Sequence, residues 1–351
     1  MPASKTRFPL IDVWGRPEER GRQIGAAFGE RIDRTLSLYR AYFARPDEEL
    51  LPVAAHFRGV IGAFDPHYAA EIEGIAEGAE VDPLWVYALN ARSELLAALS
   101  ASECTVVQYT GTPFAGQNWD WSEKLEDLVV LIRSEDERGR RFLTMTEPGI
   151  LAKVGLNDAG FCVCLNFLPT PKPTNGLPSH VLLRALLDAG SWAEVEETLE
   201  RAGSGRSLNL LVAGADGRGI NIEYEGDAAR RMEAGGTATT HTNHYLTCDA
   251  PVDAELLENS TARLDRIRAL TAPGSPAGLA RLKSVLSDQE HSEHAILAPY
   301  RDSDGFLGRK GTVCTIAMDL AERRMHIRRG NDPANPFHQI PVVEKETALS
   351  M

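Results

Sequence analysis

No apolar run in this sequence approaches the roughly 20 residues that a membrane-spanning helix needs. The opening stretch MPASKTRFPL also lacks the uninterrupted apolar core of a secretory signal. A soluble, cytoplasmic protein without a membrane partner is the expectation. Positive charge is scarce as well: 37 Lys and Arg face 50 Asp and Glu, for a net charge of −13. That balance argues against a nucleic-acid partner, because binding to a phosphate backbone rests on clustered cations. Only five cysteines occur, Cys104, Cys162, Cys164, Cys248 and Cys314. An odd, scattered set of this kind is not a disulfide framework. Also missing are the nucleophile elbow G-x-S-x-G, the Walker loop, H-E-x-x-H and C-x-x-C. Serine-hydrolase, nucleotide-binding and zinc-protease readings lose their support with them. GADGRG at 214–219 comes nearest to a dinucleotide fingerprint, but it lies between two strand-like runs and reads as a hairpin turn. HTNH at 241–244 and HSEH at 291–294 offer two histidines each with no third ligand motif, so neither a metal nor a cofactor is expected.

What the chain does have is 43% hydrophobic residues over 351 positions, enough for a large core in one large domain or two. The first hundred residues read as helical. Pro17, Asp65-Pro66 and Asp82-Pro83 are helix starts, and Ile24, Phe28, Ile32, Leu36, Tyr39 and Phe43 fall on one helical face. From residue 102 the texture changes to short β-branched and aromatic runs, CTVVQY, FAGQNWDW, DLVVLIRS, RFLTMT, ILAKVG and FCVCLNF, which read as strands. Helices return in SHVLLRALLDAG and SWAEVEETLERAG, the latter with a capping box at Ser191 and Glu194. A second set of strands follows in LNLLVAG, INIEYEG and RRMEA, then helices over roughly 258–287, then a last hairpin, TVCTIAMD and MHIRR. Runs of strands beside runs of helices, without βαβ alternation, indicate a layered α+β domain. Cys162 and Cys164, two apart in an apolar strand, read as core packing.

Cys104 stands apart from the other thiols. It opens a strand directly after a helical segment, a place where a cut would leave an N-terminal thiol on a rigid sheet. Such a residue carries its own base, since a free α-amine has a pKa of about 7.7–8.0 and is partly unprotonated near neutral pH.

Six motifs in fixed order extend this reading: C-T at 104–105, G-Q-N-W-D at 116–120, K-V-G-L-N-D-A-G at 153–160, P-S-H at 178–180, H-T-N-H at 241–244 and R-K-G-T at 309–312. Together they resemble the penicillin acyl-coenzyme A:6-aminopenicillanic acid acyltransferase family, the C45 peptidase family of the N-terminal nucleophile hydrolases. The resemblance implies a four-layer αββα sandwich made as a precursor that cleaves itself before its nucleophile. Here the cut would fall between Glu103 and Cys104, giving a helical fragment, 1–103, and a nucleophile-bearing fragment, 104–351, that together form one domain. Carried over residue by residue, Cys104 is the nucleophile and Asp120 orients its α-amine. Asn243 donates to the oxyanion, and Arg309 supports Asp120 or meets an anionic substrate group. The plainer alternatives are a turn residue for Asp120, a loop cap for Asn243 and a solvated charge for Arg309. Thr105 either assists self-cleavage or simply favours a strand. Within the same motifs Asn118 and Trp119 are supporting residues, Trp119 and Trp121 reading as core, while His241 and His244 buttress Asn243 by hydrogen bonds. Fungal members carry Gly before the nucleophile, where this chain has Glu103, a residue less tolerant of strained backbone. The implied partner is a small-molecule amide or acyl donor, acyl-CoA among the options, with a homo-oligomer as the general prior. Hydrolysis of small amides is the leading expectation; acyl-CoA-dependent acyl transfer and an unprocessed, ligand-binding protein are the alternatives.

Overall fold

The computed structural model describes residues 6–97, 104–233, 236–291, 293–303 and 308–344. Glu103 lies outside the described residues.

The chain enters through a strand that the sequence reading missed, β1 (Leu10–Trp14), and then builds five helices: α1 (Pro17–Phe43), α2 (Asp47–Phe64), α3 (Pro66–Ala79), α4 (Pro83–Asn90) and α5 (Arg92–Leu95). The expected starts hold. Asp65 and Asp82 each accept a hydrogen bond from the backbone two residues on, 2.9 Å in both cases, and each is followed by Pro at the first helical position. The expected stripe of α1 is buried throughout. α1 and α3 approach so closely that Gly21 and Gly25 on one, and Gly74 and Gly78 on the other, face backbone where a Cβ would overlap it.

Next come β2 (Thr105–Tyr109), β3 (Phe114–Ser122), β4 (Val130–Glu135), β5 (Arg141–Thr146), β6 (Val154–Asn157) and β7 (Phe161–Phe167). The sixth begins later than ILAKVG suggests, leaving Lys153 just before it. α6 (Ser179–Leu187) and α7 (Trp192–Ala202) follow, with Ser191 capping the latter through Glu194 N at 3.3 Å. β8 (Arg206–Gly214) and β9 (Gly219–Gly226) are joined by the GADGRG turn, and β10 (Ala228–Met232) and β11 (Ala238–His241) lead to α8 (Ala254–Leu270) and α9 (Leu279–Val285). The chain closes with β12 (Lys310–Asp319), β13 (Arg324–Arg329) and β14 (His338–Pro341).

These strands form two sheets, ordered β1-β4-β5-β6-β7-β8-β9-β10 and β11-β2-β3-β12-β13-β14. Every pairing is antiparallel except β1 with β4. The sheets face each other where β7 meets β2 and β3, and Gln117 Oε1 on β3 accepts from Leu165 N on β7 across the gap at 2.8 Å. α6 covers the outer face of the first sheet at β6–β8, and α8 and α9 cover the second at β11, β3 and β12. Four layers, α, β, β, α, result, and Cys162 and Cys164 are fully buried among them. No helix of the described residues is long and apolar enough to cross a membrane.

Candidate active site

Cys104 immediately precedes β2, an inner strand of the smaller sheet, and is only 3% exposed. Its backbone N–H donates to Asn243 Oδ1 at 2.6 Å. Its carbonyl oxygen accepts from Asn166 Nδ2 at 3.0 Å and from an Arg263 guanidinium nitrogen at 2.8 Å. That arginine also donates to Thr105 Oγ1 at 2.9 Å and to Asn243 Oδ1 at 3.0 Å. The backbone on both sides of the Cys104 α-carbon is therefore held by three side chains, from β7, α8 and the loop after β11.

Asn243 is fixed in turn. Its Nδ2 donates to Phe167 O at 2.9 Å and its backbone N–H donates to Ser260 Oγ at 2.7 Å. His244 Nδ1 meets the same Ser260 hydroxyl at 2.7 Å, while His241 is wedged between Thr242 O and Glu223 Oε1, at 2.8 and 2.7 Å. Burial, then the neighbouring His241 and Arg263, push the His244 pKa down to about 4, so His244 is neutral near pH 7. His244 thus shares Ser260 with Asn243, while His241 is tied to Thr242 and Glu223. The amide nitrogen of Asn243, the group expected to meet an oxyanion, donates here to Phe167 O.

Asp120, from β3, is buried and close enough to act on the thiol. Burial pushes the Cys104 pKa up to about 11; the Asp120 carboxylate adds to the rise, and a hydrogen bond from the Asp120 backbone, then Lys153 and Arg263, oppose it. A thiol in that position does not ionise by itself near pH 7, and needs a base. Asn118 points to the helical layer, donating to Leu286 O at 2.9 Å and Ile296 O at 2.6 Å, and so anchors β3 opposite Thr105. Trp119 and Trp121 are each 2% exposed and belong to the core.

Arg309 is a correction. It lies just before β12, half-exposed, donating to both carboxylate oxygens of Glu123 at 2.8 Å and to Tyr300 O at 3.2 Å. Its charge is spent at the end of the sheet, because the Glu123 backbone and its own are bonded there at 2.8 Å. The arginine bonded to Cys104 is Arg263. Motif order gave no sign of it, but one signal was available: with Leu256, Ser260, Leu264 and Ile267 it occupies the buried face of α8, an unusual place for a charge.

A second group missed in the sequence sits beneath the thiol. Glu147 accepts from Arg92 at 2.8 and 3.0 Å, from Lys153 Nζ at 2.9 Å and from the Tyr39 hydroxyl, all within the core. Lys153 in an otherwise apolar run was the visible hint.

The layering of two facing sheets between helices, with a thiol opening an inner strand, is the arrangement that the resemblance to the N-terminal nucleophile hydrolases implies. Within that class the sequence matches the family described as acyl-coenzyme A:6-aminopenicillanic acid acyl-transferase over residues 107–334, and the chain belongs to it. It is 29% identical over 342 residues, 93% of each chain, to the acyl-coenzyme A:6-aminopenicillanic-acid-acyltransferase 40 kDa form of Emericella nidulans. Among solved structures it is similar to a mutant conjugated bile acid hydrolase from Clostridium perfringens, with a TM-score of 0.48, 12% identity, and coverage of 68% of this chain and 92% of that one. The penicillin V acylase of Agrobacterium tumefaciens gives 0.41 and 12%, covering 66% and 84%.

Proposed function

We propose that this chain is a self-processing thiol enzyme that cuts itself between Glu103 and Cys104 and then hydrolyses small linear amides through a thioester on Cys104. Membership of an acyltransferase family supports acyl chemistry, and the observation that carries the reading is the Cys104 nitrogen held at 2.6 Å by Asn243. In the uncut chain that nitrogen is a peptide N–H. Once freed it is an α-amine in the same grip, beside the Asp120 carboxylate, and its ordinary pKa of about 7.7–8.0 suits a base near neutrality.

Turnover then follows from proton bookkeeping. The α-amine takes the thiol proton, the thiolate attacks the amide carbon, and the tetrahedral oxyanion collapses as the leaving nitrogen takes a proton from the α-ammonium. Cys104 keeps the acyl group as a thioester. Water, deprotonated by the same amine, hydrolyses it and regenerates the thiol. The cations that act on the thiol, Lys153 and Arg263, are buried and bonded to protein acceptors. That arrangement favours a small amide over the phosphate-bearing coenzyme A.

Denaturing mass analysis of purified protein tests the reading. Fragments 1–103 and 104–351 are expected from the wild type, with Cys104→Ala intact and inactive towards a panel of N-acyl amines, acyl-CoA thioesters and penicillins. A wild-type chain that stays whole would leave a ligand-binding protein as the answer, and turnover confined to acyl-CoA donors would make it an acyltransferase.

A further inference from the structure

The amine that serves turnover does not exist before the cut. In the uncut chain the Cys104 nitrogen is committed to Asn243 and to its own peptide bond, and the thiol is too weak an acid to ionise unaided. Self-cleavage therefore needs a different proton acceptor, reachable by the sulfur, unprotonated near pH 7 and more basic than an ordinary carboxylate such as the neighbouring Asp120 side chain supplies.

The strand register points to one. β2 and β3 pair with Val106 opposite Gln117 and Thr105 opposite Asn118; one residue further, the same register sets Cys104 opposite Trp119 and on its face. β12 sets Cys314 opposite Trp119 from the other side. Across this row of Cys104, Trp119 and Cys314 lies Lys153, 1% exposed, its Nζ 3.6 Å from the centre of the Trp119 ring. Its ammonium has a hydrogen bond to Glu147 at 2.9 Å, but Glu147 also holds Arg92 and Tyr39. One carboxylate thus serves two buried cations, and only the lysine can give its proton away. Burial and Arg92 bring the Lys153 pKa down to about 7, against the opposing pull of Glu147 and Cys104. The titratable and charged groups around it are these three, the Cys314 thiol, Asp120 beside both thiols, and His180, which burial and the two cations keep neutral.

We propose that Lys153 is the base that takes the Cys104 thiol proton during self-cleavage. The inference rests on the self-processing reading above. The neutral Lys153 amine accepts the proton, and the thiolate attacks the carbonyl carbon of Glu103. As the Glu103–Cys104 C–N bond breaks, the departing nitrogen recovers a proton from the Lys153 ammonium. The product is a thioester between the Glu103 acyl group and Cys104 Sγ, with a free α-amine. Water hydrolyses the thioester to the Glu103 carboxylate and the thiol. From then on the α-amine is the nearer base, and Lys153 has done its work.

The test follows fragment formation by denaturing mass analysis in freshly purified full-length protein, as a function of pH. For the wild type the cleavage rate should rise about tenfold per pH unit below a midpoint near 7 and level off above it. Lys153→Arg keeps a cation on Glu147 that does not deprotonate, and Lys153→Met removes the amine; both should slow cleavage by about 100-fold or more. Each variant is compared with uncut Cys104→Ala for its melting temperature, and ethylamine added to Lys153→Met should restore part of the rate. Cleavage of Lys153→Arg at the wild-type rate overturns the proposal and leaves the enzyme reading intact. So does a wild-type rate that keeps rising towards pH 11, the signature of a thiol that ionises to solvent. A wild type that never cleaves overturns both.

Discussion

Oδ1 of Asn243 receives hydrogen bonds from the Cys104 N–H and from Arg263, so that one atom ties the Cys104 nitrogen to the arginine that also holds its carbonyl. Asn243→Ala should therefore leave folded protein with kcat lowered on the order of 10²-fold or more, whereas Arg309→Ala should leave kcat unchanged. Steady-state kinetics on the two variants check the pair together. A loss on Arg309→Ala would return that residue to the site. Cys104, Asp120, Thr105 and Asn243 were legible because they sit in motifs whose order is fixed. Arg263 and Lys153 were not: Arg263 comes from α8, which carries none of the six motifs, and Lys153 opens K-V-G-L-N-D-A-G without any role attached to it, so only a charge out of place in an apolar pattern marked them. Arg309 shows the converse: it stands in a motif, but the chain leads it to Glu123 at the surface.

At the scale of elements, the helices and most strands follow from periodicity and caps. The strands missed, β1, β11 and β14, are four or five residues long and sit at sheet edges, where half the ladder is absent and alternation has little length in which to show. The contact between α1 and α3 was also hidden, since it depends on glycine pairs four apart on two separate helices. It makes a clean comparison with Gly59 on α2, which faces open space. In the uncut Cys104→Ala background, Gly25→Ala should cost at least about 2 kcal/mol by forcing two backbones apart. Gly59→Ala should instead add about 0.5–1 kcal/mol through the unfolded chain. Denaturant melts measure both; equal effects would mean that α1 and α3 can separate without loss.

For the whole molecule, the ion cluster under the thiol joins the two parts that cleavage would separate: Tyr39 and Arg92 come from the helical part, Glu147 and Lys153 from the other. Burial raises the Glu147 pKa, but Arg92 and Lys153 outweigh it and hold the carboxyl at about 2, below its ordinary 4.5. A folded pKa below the unfolded one means stability that is complete above pH 4.5 and drains away as the pH falls towards 2. In the Cys104→Ala background, Glu147→Gln should melt well below its parent at pH 7, and the gap should close on acidification. A gap independent of pH would deny Glu147 that role.

If the chain is cut as proposed, β1 gives it a history. It docks in parallel on β4, well over a hundred residues downstream, so the larger sheet is completed by a strand from the far side of the cut. While the chain is whole, the search for that partner is intramolecular and concentration does not matter. Once it is severed, the same pairing becomes a meeting of two molecules. Self-cleavage would then act as a ratchet: the protein folds as one chain, works as two, and after full unfolding has no unimolecular way back.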